Sequence, residues 1–189
     1  MKTRYQTRYP LLNSRLPDVV WLDIETRKVP APADWLQKTR WEPFMIGVAY
    51  REARDLVVEV RTGTEGALIE WARGLLAGRR VCYSATREFD EMVLRGRFTN
   101  ARRAHSPVPG DWPHLDGAPI RWENIRKTWD PAPARAFDVA SRDVPAVWKA
   151  GDRDVVTLHC ARDVMGLILR DPTARLAAPI REALETFLI

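Results

Sequence analysis

The chain has 189 residues, 46% of them hydrophobic and 29% charged, which are proportions of a globular protein rather than a disordered or fibrous one, and a length that fits one domain with a conventional core. Its longest apolar runs, such as Phe44 to Tyr50, fall far short of the ~20 residues of a membrane span, and no apolar stretch of a secretory signal follows Met1. Lys and Arg total 30 against 25 Asp and Glu, a net charge of +5 that tilts the chain toward a polyanionic partner, and with the short apolar runs no membrane partner is expected.

Residues 1–17 carry Lys2, Arg4, Arg8 and Arg15 with Tyr5 and Tyr9 between them and Pro10 and Pro17 as punctuation, and read as a basic N-terminal arm. Such interleaving suits a nucleic-acid backbone and stacked bases, but the favoured reading is a solvated arm packed on its own domain. Residues 18–189 then read as a single domain. Asp18 to Thr26 is a short apolar strand ending in acids, and a helical turn is expected from Ala33, after Pro30 and Pro32. Phe44 to Arg51 and Leu56 to Val60 are two further strands joined by a polar turn. Thr64 is placed to cap a helix whose apolar positions are Leu68, Trp71, Ala72, Leu75 and Leu76, with Gly78 ending it.

Val81 to Tyr83 reads as the next strand and Arg87 to Phe98 as a second helix. The stretch at about 99–135 is a Pro- and Trp-rich insert in which six prolines forbid long regular elements, with a short helix expected around Ile120 to Trp129. Val144 to Ala150 forms a helix ended by Gly151. A long helix follows from a cap at Asp152 to about Leu169, with Val155, Val156, Leu158, Val164, Leu167 and Ile168 on its apolar side. Thr173 to Ile189 is a final amphipathic helix. Three strands, helix, strand, helix, insert and helices make an α/β fold with a mixed sheet.

The two cysteines, Cys82 and Cys160, form no C-x-x-C pair and have no zinc-type spacing, so a reducing, cytoplasmic compartment is the default. Cys160 directly follows His159, but neighbours on a helix do not face each other, so no nucleophile pair is read there. The tryptophans are expected in the core, with Trp112 and Trp122 in the insert as candidate base-stacking platforms.

Acidic residues carry the chemistry. Asp23 and Glu25, two apart on a strand, project from one face, and like charges so placed call for a neutralising partner such as a hard divalent cation. Asp90 begins a helix just after the fourth strand of that scheme, and Asp163 shares a helical face with His159 four residues earlier. Four carboxylates converging in a mixed sheet suit two-metal phosphoryl chemistry.

Read together, these segments resemble the DEDD superfamily of 3′–5′ exonucleases, which includes polymerase proofreading domains and has a ribonuclease-H-like fold. Leu22-Asp23-Ile24-Glu25-Thr26 is similar to its first motif, D-x-E-T. Ala85-Thr86-Arg87-Glu88-Phe89-Asp90, followed by Leu94, is similar to its second, N-G-x-x-F-D, with Ala85 and Thr86 in place of Asn and Gly. His159-Cys160-Ala161-Arg162-Asp163 is similar to its third, Y-x-x-x-D, with a histidine at the tyrosine position, and His114-Leu115-Asp116 resembles a short element that precedes it. The resemblance covers about residues 18–169. It implies that Asp23, Glu25, Asp90 and Asp163 hold two Mg²⁺ or Mn²⁺ ions. It further implies that His159 acts on the attacking water, that Thr26 and Phe89 contact the terminal nucleotide, and that a single-stranded DNA or RNA 3′ end is cut to nucleoside 5′-monophosphates. The alternative is a catalytically inactive nucleic-acid-binding module on the same fold.

Overall fold

Central strands buried on both faces read as near-continuous apolar runs, and the run around Trp21 occupies such a position. The computed structural model describes residues 1–11, 14–30, 39–84, 89–99, 120–125, 140 and 142–188. Its strands are β1 (Lys2–Pro10), β2 (Val19–Pro30), β3 (Thr39–Glu52), β4 (Asp55–Thr62), β5 (Arg80–Tyr83) and β6 (Arg121–Asn124). Its helices are α1 (Glu65–Leu76), α2 (Phe89–Thr99), α3 (Val144–Ala150), α4 (Arg153–Arg170) and α5 (Ala178–Leu188). The fold is α/β: one mixed six-stranded sheet, ordered β1-β4-β3-β2-β5-β6, with flanking helices. β1, β4, β3 and β2 pair antiparallel in turn, whereas β5 runs parallel to β2, and β6 to β5. No helix among the described residues is long and apolar enough to cross a membrane.

The two faces of β2 sort its side chains by parity. Val20, Leu22 and Ile24 pack with Leu68, Ile69, Ala72 and Leu76 of α1 and with Val93 and Leu94 of α2. Val19 and Trp21 face the other way, into a cluster with Val164, Met165 and Ile168 of α4 and Ile180 and Leu184 of α5.

Several elements differ from the sequence expectation for identifiable reasons. The basic arm is extended, and residues 2–10 lie along β4 as the edge strand of the sheet, with Tyr5 and Tyr9 turned onto the core and Tyr5 meeting Phe187 at 5.5 Å between ring centroids. β3 begins five residues before the expected Phe44, since Pro43 sits at a β-bulge where a proline is tolerated: Glu25 pairs with Met45 and Thr26 with Pro43, leaving Phe44 as the extra residue. Of the segment from Ile120 to Trp129 expected as a helix, the described part forms a strand, and residues 126–129 lie outside the described residues. Arg121–Asn124 alternates exposed and half-buried residues, and β5 supplies its ladder partners. In α4 the buried stripe passes through Val156, Cys160 and Val164, which leaves Val155 and Leu158 exposed. Asp152 occupies the N-cap of α4, but its side chain makes no capping bond; Thr64 does cap α1, accepting from Ala67 N. The last helix starts at Ala178 rather than Thr173. The turn expected from Ala33, the Ala85–Glu88 portion of the second motif, Trp112, His114, Asp116 and most of the insert lie outside the described residues.

Two contacts fix α4 on the sheet. Gly47 of β3 lies opposite Asp23 of β2. A Cβ there would stand 2.7 Å from Cys160 Sγ and 3.0 Å from Val164 Cγ2, so only glycine lets the helix come this close. At the C-terminal end of α4, buried Asp171 accepts hydrogen bonds from Trp21 Nε1 (3.1 Å), from Thr173 N (2.8 Å) and from Thr173 Oγ1 (2.6 Å), with Arg80 at 3.6 Å.

The Gly47 contact is testable by overpacking. Gly47→Ala is expected to cost about 1–3 kcal/mol of stability in denaturant unfolding, because the helix must move off the sheet to admit the methyl group. A variant as stable as the parent would show that α4 does not approach the sheet so closely.

Candidate functional site

Strand parity that sends Val19 and Trp21 into the α4 side also sends Asp23 and Glu25 there, further along β2, where the apolar run ends. A cleft of about 500 Å³ opens at this point, beyond the C-terminal ends of the parallel core strands. It is lined from β2 by Asp23, Glu25 and Thr26, and from the start of α2 by Phe89 and Asp90. His159 and Asp163 of α4 line it as well, completing the set of acids and the histidine named from the sequence. Thr26 and Phe89, expected at the terminal nucleotide, are both half-buried lining residues.

His159 lies between two acids. Its Nε2 is 3.5 Å from Glu25 Oε1 and 3.6 Å from Asp163 Oδ2, and the ring is almost wholly buried. The i, i+4 spacing on α4 produces the second contact, and the close seating of α4 on β2 produces the first. Asp163 is the more open of the two acids, with 37% of its side chain exposed against 9% for Glu25.

The electrostatics are unfavourable for the protein alone. Burial raises the pKa of Asp23 well above the ordinary carboxylate range, and the charges of Asp163 and Asp90 push it further; His159 works in the opposite sense. Asp90 is pushed up to about 8, by burial first and then by Asp163. Asp23 Oδ2 is buried and has no hydrogen-bond partner among the described residues. A buried, orphaned acceptor in a cluster of acids is the donor arrangement that a hard divalent cation satisfies, so the residues present fit such an ion.

Cys160 was passed over in the sequence and belongs to this site. Its thiol hydrogen-bonds to Asp23, and burial together with the neighbouring carboxylates raises its pKa, which keeps it a neutral donor. Ligand atoms of Asp23, Glu25 and Cys160 lie within 4.8 Å of one another and form a candidate metal-holding group. The sequence signal was a glycine inside an apolar strand, which marks close backbone approach. Arg142, Pro145, Ser84 and Trp41 also line the cleft and were not named as site residues. Trp122, named as a candidate stacking platform, does not line the cleft. It packs edge-on against Tyr83 at 6.0 Å beside the core.

A carboxyl whose folded pKa lies above its unfolded value penalises the folded state once the pH exceeds the unfolded value near ~4. For Asp90 the penalty is complete above about 8. The stability of the metal-free chain should therefore fall as pH rises across this window. Asp90→Asn removes the ionisation, so its melting temperature should gain on the parent between about pH 5 and about pH 8.5, by about 2–4 °C for each kcal/mol relieved. Parallel melting curves across this range would show that Asp90 ionises freely in the fold.

No protein-family model, curated protein or solved structure matches this chain.

Proposed function

We propose that this chain is a metal-dependent 3′–5′ exonuclease that hydrolyses nucleic-acid phosphodiester bonds and releases nucleoside 5′-monophosphates. The observation that carries the reading is the convergence of Asp23, Glu25, Asp90 and Asp163 with His159 in one cleft, from three elements far apart in the sequence. The strand order supports it. Without the edge strand β1, the sheet reads third, second, first, fourth, fifth, with only the second antiparallel to the first, fourth and fifth, as in a ribonuclease-H-like fold. The basic net charge suits a polyanionic substrate.

Two Mg²⁺ or Mn²⁺ ions, held by Asp23, Glu25, Asp90 and Asp163, would neutralise the phosphate charge and lower the pKa of an attacking water. The chain's own groups supply the rest. His159 brings Nε2 into the cleft as a proton acceptor, and the carboxylates of Glu25 and Asp163, 3.5 and 3.6 Å from it, would stabilise the imidazolium formed when it takes the proton. Unlike the phenol of a tyrosine, with a free pKa of ~10, an imidazole exchanges protons readily near neutrality. Cys160 holds Asp23 by donating to it, which leaves Oδ2 directed to an ion. Thr26 and Phe89, which line the same cleft, are assigned in this reading to the terminal nucleotide of a bound strand.

Digestion of 5′-labelled single-stranded DNA and RNA tests the proposal. The chain should produce a ladder from the 3′ end with Mg²⁺ or Mn²⁺ and none with chelator. Asp23→Asn should abolish cleavage while the protein stays folded, and the metal-induced rise in melting temperature should be smaller than in the parent. His159→Ala should lose about ten-fold or more in rate with metal affinity unchanged. A chain that gains no stability from either ion, or cleaves equally well in chelator, would overturn the reading.

A further inference from the structure

Trp41 is a large apolar side chain left 42% exposed on the rim of an acidic cleft, in a protein whose other described tryptophans are half-buried or buried. It stands on the part of the β2–β3 hairpin beyond the bulge, directly across the ladder from Lys28. Its ring meets that of Phe89 at 5.5 Å and 84°, so the two aromatics form a corner rather than a stack. Lys28 Nζ lies 5.9 Å from the centre of the Trp41 ring.

Its neighbours hold the hairpin in place. Arg40 Nη1 donates to both carboxylate oxygens of Glu65 at the start of α1, at 2.8 and 2.7 Å, and Arg40 Nη2 donates to Glu42 at 3.1 Å. Trp41 is thus a rigid aromatic surface between two anchored residues, with a cation beside it and the acids of the cleft beneath. A flat π-surface paired with a positive charge is what single-stranded nucleic acid requires, with the base on the ring and the phosphate at the ammonium.

Resting on the nuclease reading above, we propose that Trp41, cornered by Phe89, is the stacking platform for the 3′-terminal nucleobase, and that Lys28 takes a phosphate of the same strand. Every base has a π-face, so such a platform is tolerant of sequence, and the same cleft accepts all four terminal bases with similar affinity.

The test uses the full chain and 5′-fluorescein single-stranded oligonucleotides that end in either a normal nucleotide or an abasic one. Binding is read by anisotropy with Ca²⁺, and KM and kcat with Mn²⁺. Trp41→Ala is expected to weaken binding and raise KM by about ten-fold or more on normal ends, with kcat little changed, whereas Trp41→Phe retains most of the affinity. The parent should lose a similar factor on the abasic end, a comparison that needs no variant, and Trp41→Ala should lose nothing further there. Independent, multiplicative losses, or a Trp41→Ala variant that binds and cleaves like the parent, would overturn the Trp41 assignment and leave the nuclease reading standing. A parent chain that neither binds nor cuts the oligonucleotides would overturn both.

Discussion

The approach of α4 to the sheet at Gly47 is the constraint on which the site depends. The missing side chain lets Cys160 reach Asp23, and it brings the neighbouring His159, with Asp163 one turn on from it, against the end of β2. Without that approach the acids of β2 and the residues of α4 would be separated by a layer of side chains. Burial of Trp21, Val164, Met165 and Ile168 in one cluster provides the hydrophobic free energy that holds the helix there against the repulsion of the carboxylates.

The carboxylates are a local conflict inside an otherwise consistent fold. Several charged residues elsewhere are paired in ordinary ways: Arg40 with Glu42 and Glu65, Arg80 with Glu123 and Asp171, Arg8 with Glu52. At the end of β2, buried acids face one another, and burial works against their ionisation. Such a cluster of buried acids beside a well-packed core stores its cost where a ligand can relieve it.

Much of this was legible in the sequence because it rests on short-range periodicity. Asp23 and Glu25 share a face through the two-residue repeat of a strand, and His159 and Asp163 through the four-residue spacing of a helix; both relations persist in the structure. The α/β order was legible in the same way. What escaped depends on contacts between distant segments. Cys160 was judged against its neighbour His159, whereas its partner is Asp23, brought near by a glycine in a third element. Trp41 was expected in the core with the other tryptophans, but it lies on the part of β3 beyond the bulge at Pro43, on the hairpin it forms with β2. The exposed Val155 and Leu158 show the same limit: an apolar residue near the helical stripe is buried only if something packs above it.

Asp171 gives the arrangement a mechanical side. It ends α4 and is gripped by groups from β2, from β5 and from the turn after the helix. Asp163 precedes it by eight residues, about 12 Å along the axis. α4 therefore behaves as a lever clamped at its heel: with its C-terminal end locked to Trp21, the helix cannot slide or roll without moving the strand that carries Asp23. The imidazole and the acids beneath it keep their alignment because both are fastened, at the far end, to the same buried carboxylate.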